Sequence, residues 1–194
     1  MNVALVNKSS RVNGHDFALI AFACDRQARR DYMIAWDARA PRVRGYDADE
    51  LVPAGVPKIV LLDDADQAGA LGYHSETPEG EKYGRVFCGV VLDNGGTVMQ
   101  GPNSVSSVAS HEVLELLADP FCTRWEQGPR VAAGDLYAFE IADPVQGDAY
   151  PVDMPRHPPE EQAKSLAPWV SNFVLPAWFD ASAPAGMPVD FLGR

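Results

Sequence analysis

One short segment of the chain, Ser110-His111-Glu112-Val113-Leu114-Glu115-Leu116-Leu117-Ala118-Asp119-Pro120, brings together an imidazole and three carboxylates. A helix turns by about 100° per residue, so with His111 at 0° Glu115 falls near about 40°, Asp119 near about 80° and Glu112 near about 100°. Leu116, Val113, Leu117 and Leu114 fill the opposite arc, so the four ionisable groups share a narrow face of a helix whose other face is apolar. His111 and Glu115, spaced i and i+4, project from successive turns and can aim two donor atoms at one ion. Glu112 stands beside them, placed to take a proton from a water that such an ion activates. The acids repel one another unless a cation or a basic partner offsets them, and no Lys or Arg occurs between Gly101 and Cys122. A solvated, merely polar helix face would give the same pattern.

The helix must be positioned by the elements around it. Its start is marked by Ser104, Ser106, Ser107 and Ser110, and Pro120 stops it. Upstream, Val3–Val6 is a short β-like run, and the spacing of Phe17, Ile20, Ala21, Cys24 and Ala28 predicts an amphipathic helix over Asp16–Arg30. Tyr32–Trp36 reads as a strand, residues 38–57 as an exposed connection and Lys58–Leu62 as a buried strand. Ala70–His74 and Arg85–Leu92 are two more strands, and Asp93-Asn94-Gly95-Gly96 is a tight turn. Leu136–Ile141 is a further strand. A stretch with Pro151, Pro155, Pro158 and Pro159 then leads to a tail with Trp169, Phe173, Trp178, Phe179 and Phe191, too aromatic to be left in water. Strands, a central helix and then irregular structure argue for α+β. One domain is expected over 1–194, with residues 145–194 an irregular Pro- and aromatic-rich tail packed on it.

Composition narrows the partners. The formal charge is −11, with nine basic and seven acidic side chains in residues 1–58 against seven and 20 in 59–194. That is the wrong sign for a binder of nucleic acid or an anionic membrane. No stretch is long and apolar enough for a membrane span, no signal-peptide pattern opens the chain, and three cysteines without a CxxC pair suit a reducing compartment. A cytoplasmic location is expected, or a virion-associated one if a phage encodes the chain.

Other candidates have ordinary explanations. His74, in a Gly-Tyr-His-Ser turn, is an alternative ligand, a donor to a transition state or simply a capped turn residue. Tyr150 could serve an oxyanion, though beside Pro151 it reads as packing. His15 and His157 fall in polar turns. Ser171 and Cys122 lack a nucleophile context, Asp63, Asp64 and Asp66 lack the rest of a calcium loop, and no phosphate-binding glycine motif is present.

Ala70-Leu71-Gly72-Tyr73-His74, the SHExxExxxDP helix at 110–120, Ala142-Asp143-Pro144-Val145 and the 170–179 segment resemble a group of uncharacterised bacterial and phage-encoded zincin-like proteins, over most of residues 57–180. The more distant likeness is to zincin metallopeptidases. It implies a mixed sheet packed against the active-site helix, with an edge strand that holds an extended peptide. Arg85–Leu92 is the strand nearest that helix in sequence. In peptidases of the gluzincin type a downstream Glu completes the metal shell and a later Asp orients a ligand. The likeness thus implies His111, Glu115 and Glu140 as ligands, Glu112 as base, and Asp143, Asp119 or His74 in supporting or alternative positions. The departure is HExxE: one nitrogen and two carboxylates suit zinc, and also the harder Mn, Fe or Ca ions. The expected function is a metal-dependent, peptidase-like hydrolase acting on a peptide or protein. The alternative is a non-catalytic structural or interaction protein, such as a phage-related assembly component.

Overall fold

A computed structural model describes residues 1–127, 136–154 and 167–193. His157, Pro155, Pro158 and Pro159 lie outside the described residues. Five strands form one sheet: β1 (Asn2–Asn7), β2 (Arg42–Tyr46), β3 (Lys58–Leu62), β4 (Gly72–Glu76) and β5 (Lys82–Phe87), in the order β2-β1-β3-β5-β4. The first four in that order run parallel, and β4 closes one edge antiparallel to β5, with His74 opposite Gly84. Helix α1 (Gly14–Gln27) follows β1, α2 (Met33–Ala35) and α3 (Cys88–Asp93) are short, and α4 (Val105–Ala118) carries the HExxE segment. The fold is therefore α+β with a mixed sheet, and no described helix is long and apolar enough to cross a membrane.

Side chains alternate across a strand, and one face of the sheet presents Val3, Leu5, Val43, Ile59, Leu61 and Val86 to α1 and α4. Helix α4 starts at Ser104, whose hydroxyl accepts from Ser107 N at 3.1 Å. Val105, Val108, Ala109, Val113 and Leu116 pack on that sheet face. Leu114 packs on the other side, against Phe139, Ile141, Phe173 and Val174. The helix is thus sandwiched between the sheet and the returning chain. Ser110 Oγ accepts from Ser171 N at 2.7 Å and ties α4 to β9 (Trp169–Ser171), which pairs antiparallel with β8 (Ala149–Pro151).

Several sequence-based expectations are corrected. Tyr32–Trp36 is helical, the continuation of α1 through a π-helical turn over Ala28–Tyr32, with Trp36 N bonded to Tyr32 O at 2.9 Å. Alternation of Tyr32, Ile34 and Trp36 imitates a strand, yet Ile34 is 73% exposed while Tyr32 and Trp36, one helical turn apart, both join the aromatic cluster. Residues 38–57 contain β2, whose pattern hides it: only Val43 is buried, and Gly45 is small because a Cβ there would lie 3.1 Å from both Phe17 and Ala21. Arg85–Leu92 is split, since β5 ends at Phe87 and Cys88–Asp93 turns into α3; a fully apolar run carries no period to mark the switch. Leu136–Ile141 forms sheet only at β7 (Tyr137–Ala138), paired with β6 (Trp125–Glu126).

Gly72 sets how closely α4 approaches the edge strand. A Cβ there would lie 2.7 Å from Glu112 Oε1, 2.9 Å from Val108 Cγ1 and 2.9 Å from Arg85 O. Gly72→Ala is therefore expected to lower stability by about 1–3 kcal/mol through overpacking, read as a lower urea midpoint at unchanged slope; an unchanged midpoint would refute the close packing of α4 on β4.

Candidate metal centre

The helix face that carries the acids is not solvated. Glu112 and Glu115 are each 4% exposed. Two structural events bury them. Alternation along β4 turns His74 to the same side as Gly72, toward α4, and a 3-10 turn at Asp143–Val145 lays the returning chain across the helix. Asp143 N donates to Glu115 Oε1 at 3.2 Å and anchors that turn to the helix.

Two imidazoles flank Glu115. His111 Nε2 lies 3.1 Å from Glu115 Oε1 and 3.2 Å from Asp143 Oδ1. His74 Nδ1 lies 3.5 Å from Glu115 Oε2 and 3.7 Å from Glu112 Oε2, and its Nε2 lies 3.6 Å from Glu140 Oε2. His74 Nε2, Glu112 Oε2 and Glu140 Oε2 are buried without a hydrogen-bond partner. Two donor triads follow, His111-Glu115-Asp143 and His74-Glu112-Glu115, and Glu115 belongs to both.

The expected residues are brought together, in a different division of labour. Asp143, expected to orient a ligand, is itself at donor distance from His111. Glu140, expected as the third donor beside His111 and Glu115, faces His74 instead. Asp119 turns away from both triads: its carboxylate accepts from Arg124 N at 2.7 Å and Phe121 N at 3.4 Å and closes the turn after α4. His74 becomes central rather than supporting. Tyr150 is remote, donating to Asp31 at 2.9 Å and accepting from Gln27 at 3.1 Å, and Ser171 and Asp63 are engaged in hydrogen bonds that hold loops and strands together. The three cysteines are free.

No family model, curated protein or solved structure matches the chain. The functional reading therefore rests on the geometry and chemistry of the cluster.

Two clefts meet at Asp143 and Gln146. One, about 330 Å³, runs along Gly69–Gly72 and is floored by His111 and Glu112. The other, about 400 Å³, has Glu140 with Tyr137 and Trp178 on its walls. A larger cleft of about 430 Å³, between Val52–Lys58 and Thr77–Tyr83, has only Lys58, Glu81 and Lys82 as charged lining groups and no donor triad. Chemistry, not size, singles out the first two.

The electrostatics explain what the cluster needs. Burial alone would lower the His74 pKa, but the carboxylates of Glu112, Glu115 and Glu140 outweigh it and raise it from 6.5 to about 11. Burial likewise opposes charging of His111, and Glu115 and Asp143 reverse that, holding it well above its ordinary value. Burial would raise Glu115 as well, yet the two imidazolium charges bring it down to about 2. Burial, then the Glu115 charge, pushes Glu140 from 4.5 up to about 7. Without a cation the site thus holds protons that the unfolded chain releases. For Glu140 this applies between pH 4.5 and about 7, and for His74 between 6.5 and about 11, so in both windows stability falls as pH rises. Glu115 acts at the other end: its contribution is present above pH 4.5 and is lost as pH falls toward about 2. Chelator-treated protein is expected to show a urea midpoint that declines from pH 6 to 8. Added divalent cation, which displaces those protons, should flatten or reverse the slope. A midpoint of the chelated protein that climbs over this range would contradict the assignment.

Proposed function

We propose that the protein is a metal-dependent hydrolase of zincin-like organisation acting on an extended peptide. The observation that carries this reading is the triad of His111 Nε2, buried Glu115 Oε1 and the exposed Asp143 Oδ1, opening on a cleft beside a further buried carboxylate, Glu112. Metal–nitrogen and metal–oxygen bonds of about 2.0–2.2 Å place two donors on one ion about 2.8–3.6 Å apart for coordination angles of about 90–110°. The 3.1 and 3.2 Å separations around His111 fit that requirement. One nitrogen with two carboxylates suits zinc or the harder Mn and Fe ions. Such an ion would polarise the scissile carbonyl and make water acidic enough to attack at neutral pH. Glu112, one residue along the helix from His111, is the group to take the proton. Burial raises its pKa, which favours a general base over a bystander carboxylate.

The edge strand supports a peptide as substrate. Phe87 N donates to Leu71 O at 2.8 Å and Thr77 N to Glu81 O at 2.8 Å, which makes Leu71/Phe87 and Thr77/Glu81 hydrogen-bonded pairs of the antiparallel ladder. Pairing alternates in such a ladder, so the main-chain groups of Gly72, His74 and Glu76 point away from β5, to an edge that no strand pairs among the described residues. An extended peptide laid there by strand addition would pass the triad. The strand that offers this edge is β4; Arg85–Leu92, expected from sequence proximity, supplies the interior strand β5 instead.

One observation favours the competing, non-catalytic reading: two protonated imidazoles would themselves offset part of the buried negative charge. Metal analysis separates the two. Protein purified without chelator is expected to carry stoichiometric divalent metal, and His111→Ala to lose the ion from that triad. Glu112→Gln should retain the ion at His111 and lower hydrolysis of a peptide library by at least about 100-fold. Absence of metal from the wild type removes the hydrolase reading, and unchanged turnover in Glu112→Gln removes Glu112 as the base.

A further inference from the structure

Glu115 turns its two oxygens to different imidazoles, Oε1 to His111 and Oε2 to His74. We infer that the centre takes two divalent cations bridged by the Glu115 carboxylate: one held by His111 Nε2, Glu115 Oε1 and Asp143 Oδ1, the other by His74 Nδ1, Glu115 Oε2 and Glu112 Oε2. The inference rests on the metal-centre reading above, keeps its first ion, and replaces the general-base role of Glu112 with that of a ligand to the second ion.

Four observations carry it. The His74 and Glu112 side chains are each only 5% exposed, and Glu112 Oε2 has no hydrogen-bond partner. A buried carboxylate oxygen left unpaired is costly unless something positive meets it. The separations of 3.5 and 3.7 Å from His74 Nδ1 to the two carboxylates are too long for good hydrogen bonds, which run to about 3.2 Å. Two donors on a tetrahedral ion lie about 3.3–3.6 Å apart; the 3.5 Å separation falls inside that range and the 3.7 Å one just beyond it.

The other nitrogen of His74 completes the arrangement. With Nδ1 on a cation, Nε2 carries the hydrogen, and the atom it faces is Glu140 Oε2 at 3.6 Å, itself buried and without a hydrogen-bond partner. At 3.6 Å this contact is an ion pair and not a hydrogen bond; a carboxylate that closes on a ligating imidazole to hydrogen-bond distance fixes its tautomer and orientation, which gives Glu140 the place of a positioning residue for the second cation rather than a ligand of the first.

Charge balance points the same way. Among the described residues, none of Glu112, Glu115, Glu140 and Asp143 pairs with Lys or Arg; their ion-pair partners are the two histidines. Two dications with neutral imidazoles match the four carboxylates, whereas one dication leaves Glu112, Glu115 and Glu140 with a protonated His74 as their remaining counter-charge. Each site offers one nitrogen and two carboxylate oxygens, a donor set for Mn²⁺, Fe²⁺ or Zn²⁺.

The test is a count of ions and their coupling. Chelator-stripped full-length protein is titrated with Mn²⁺, and in parallel with Zn²⁺, by equilibrium dialysis. Two equivalents should bind to the wild type, and the Mn²⁺-loaded protein should give the broadened electron paramagnetic resonance signal of a coupled pair. His74→Ala, with its fold checked by circular dichroism, should bind one equivalent and give the six-line signal of isolated Mn²⁺. Glu140→Gln leaves every donor in place and should weaken only one of the two equivalents, by about 10–100-fold. Saturation of the wild type at one equivalent, lost in His111→Ala, would overturn the second site and leave the single-ion hydrolase standing. No binding of either metal overturns both. If His74→Ala does not fold, an unchanged pair of affinities in Glu140→Gln overturns the assignment of the second site.

Discussion

The structure is organised around a carboxylate buried between two imidazoles. Glu115 lies in the last turn of α4 with Asp143 N donating to one of its oxygens, His111 beside that oxygen and His74 beside the other. A charge at 4% exposure is tolerated only where the surroundings are fixed and complementary. The fold provides that fixity by gripping α4 on two sides, with Val113 and Leu116 in the sheet core and Leu114 in the aromatic core formed by Phe139, Ile141 and Phe173. The helix cannot roll without breaking one apolar contact or the other. Its donor atoms are therefore held in place by packing that involves none of them, which is the condition for a preorganised site.

Such a site is made at the expense of stability. Replacing a buried ionic cluster by apolar groups of similar volume is often neutral or stabilising by about 1–4 kcal/mol, so its presence is not explained by folding. The neighbouring acids are driven in opposite directions, Glu115 down and Glu140 up. Here the opposition has a plain cause. Glu115 touches both imidazoles, whereas Glu140 touches one and stands near other carboxylates.

What the sequence reveals about this arrangement depends on how local each determinant is. Helix α4, its serine cap and its proline stop are all encoded within a few residues, and the angular grouping of His111, Glu112 and Glu115 is a consequence of helix geometry alone. Burial of that group is not local. It is produced by His74, nearly forty positions upstream, and by a turn at Asp143 almost thirty positions downstream. No periodicity within α4 distinguishes a face turned to water from one turned to those partners. The same limit explains β2, an edge strand whose arginines face solvent, and the aromatic residues Tyr32 and Trp36, whose alternation fits a strand as well as it fits successive helical turns. The separate places of Glu140 and Asp143 depend on the direction of the short turn between them, and three residues of spacing do not specify that direction.

The position of the cluster within the sheet also follows from its chemistry. In an open parallel sheet the usual binding crevice lies at the carboxyl ends of the strands, where the connections diverge. Here the cluster is built instead from an antiparallel edge strand, the helix beneath it and the turn at Asp143–Val145. An edge offers what a strand interior lacks: main-chain groups of Gly72, His74 and Glu76 directed outward, next to side chains of the same strand that turn inward to α4. An edge of this kind invites unwanted pairing with other chains. Shortness is one restraint, since β4 spans five residues. The second is selectivity, because a guest strand must also satisfy the charge of the cluster beside it. A hydrolase of the kind proposed above would require both properties in one element, and β4 combines them because Gly72 is small enough to let Glu112 reach the strand.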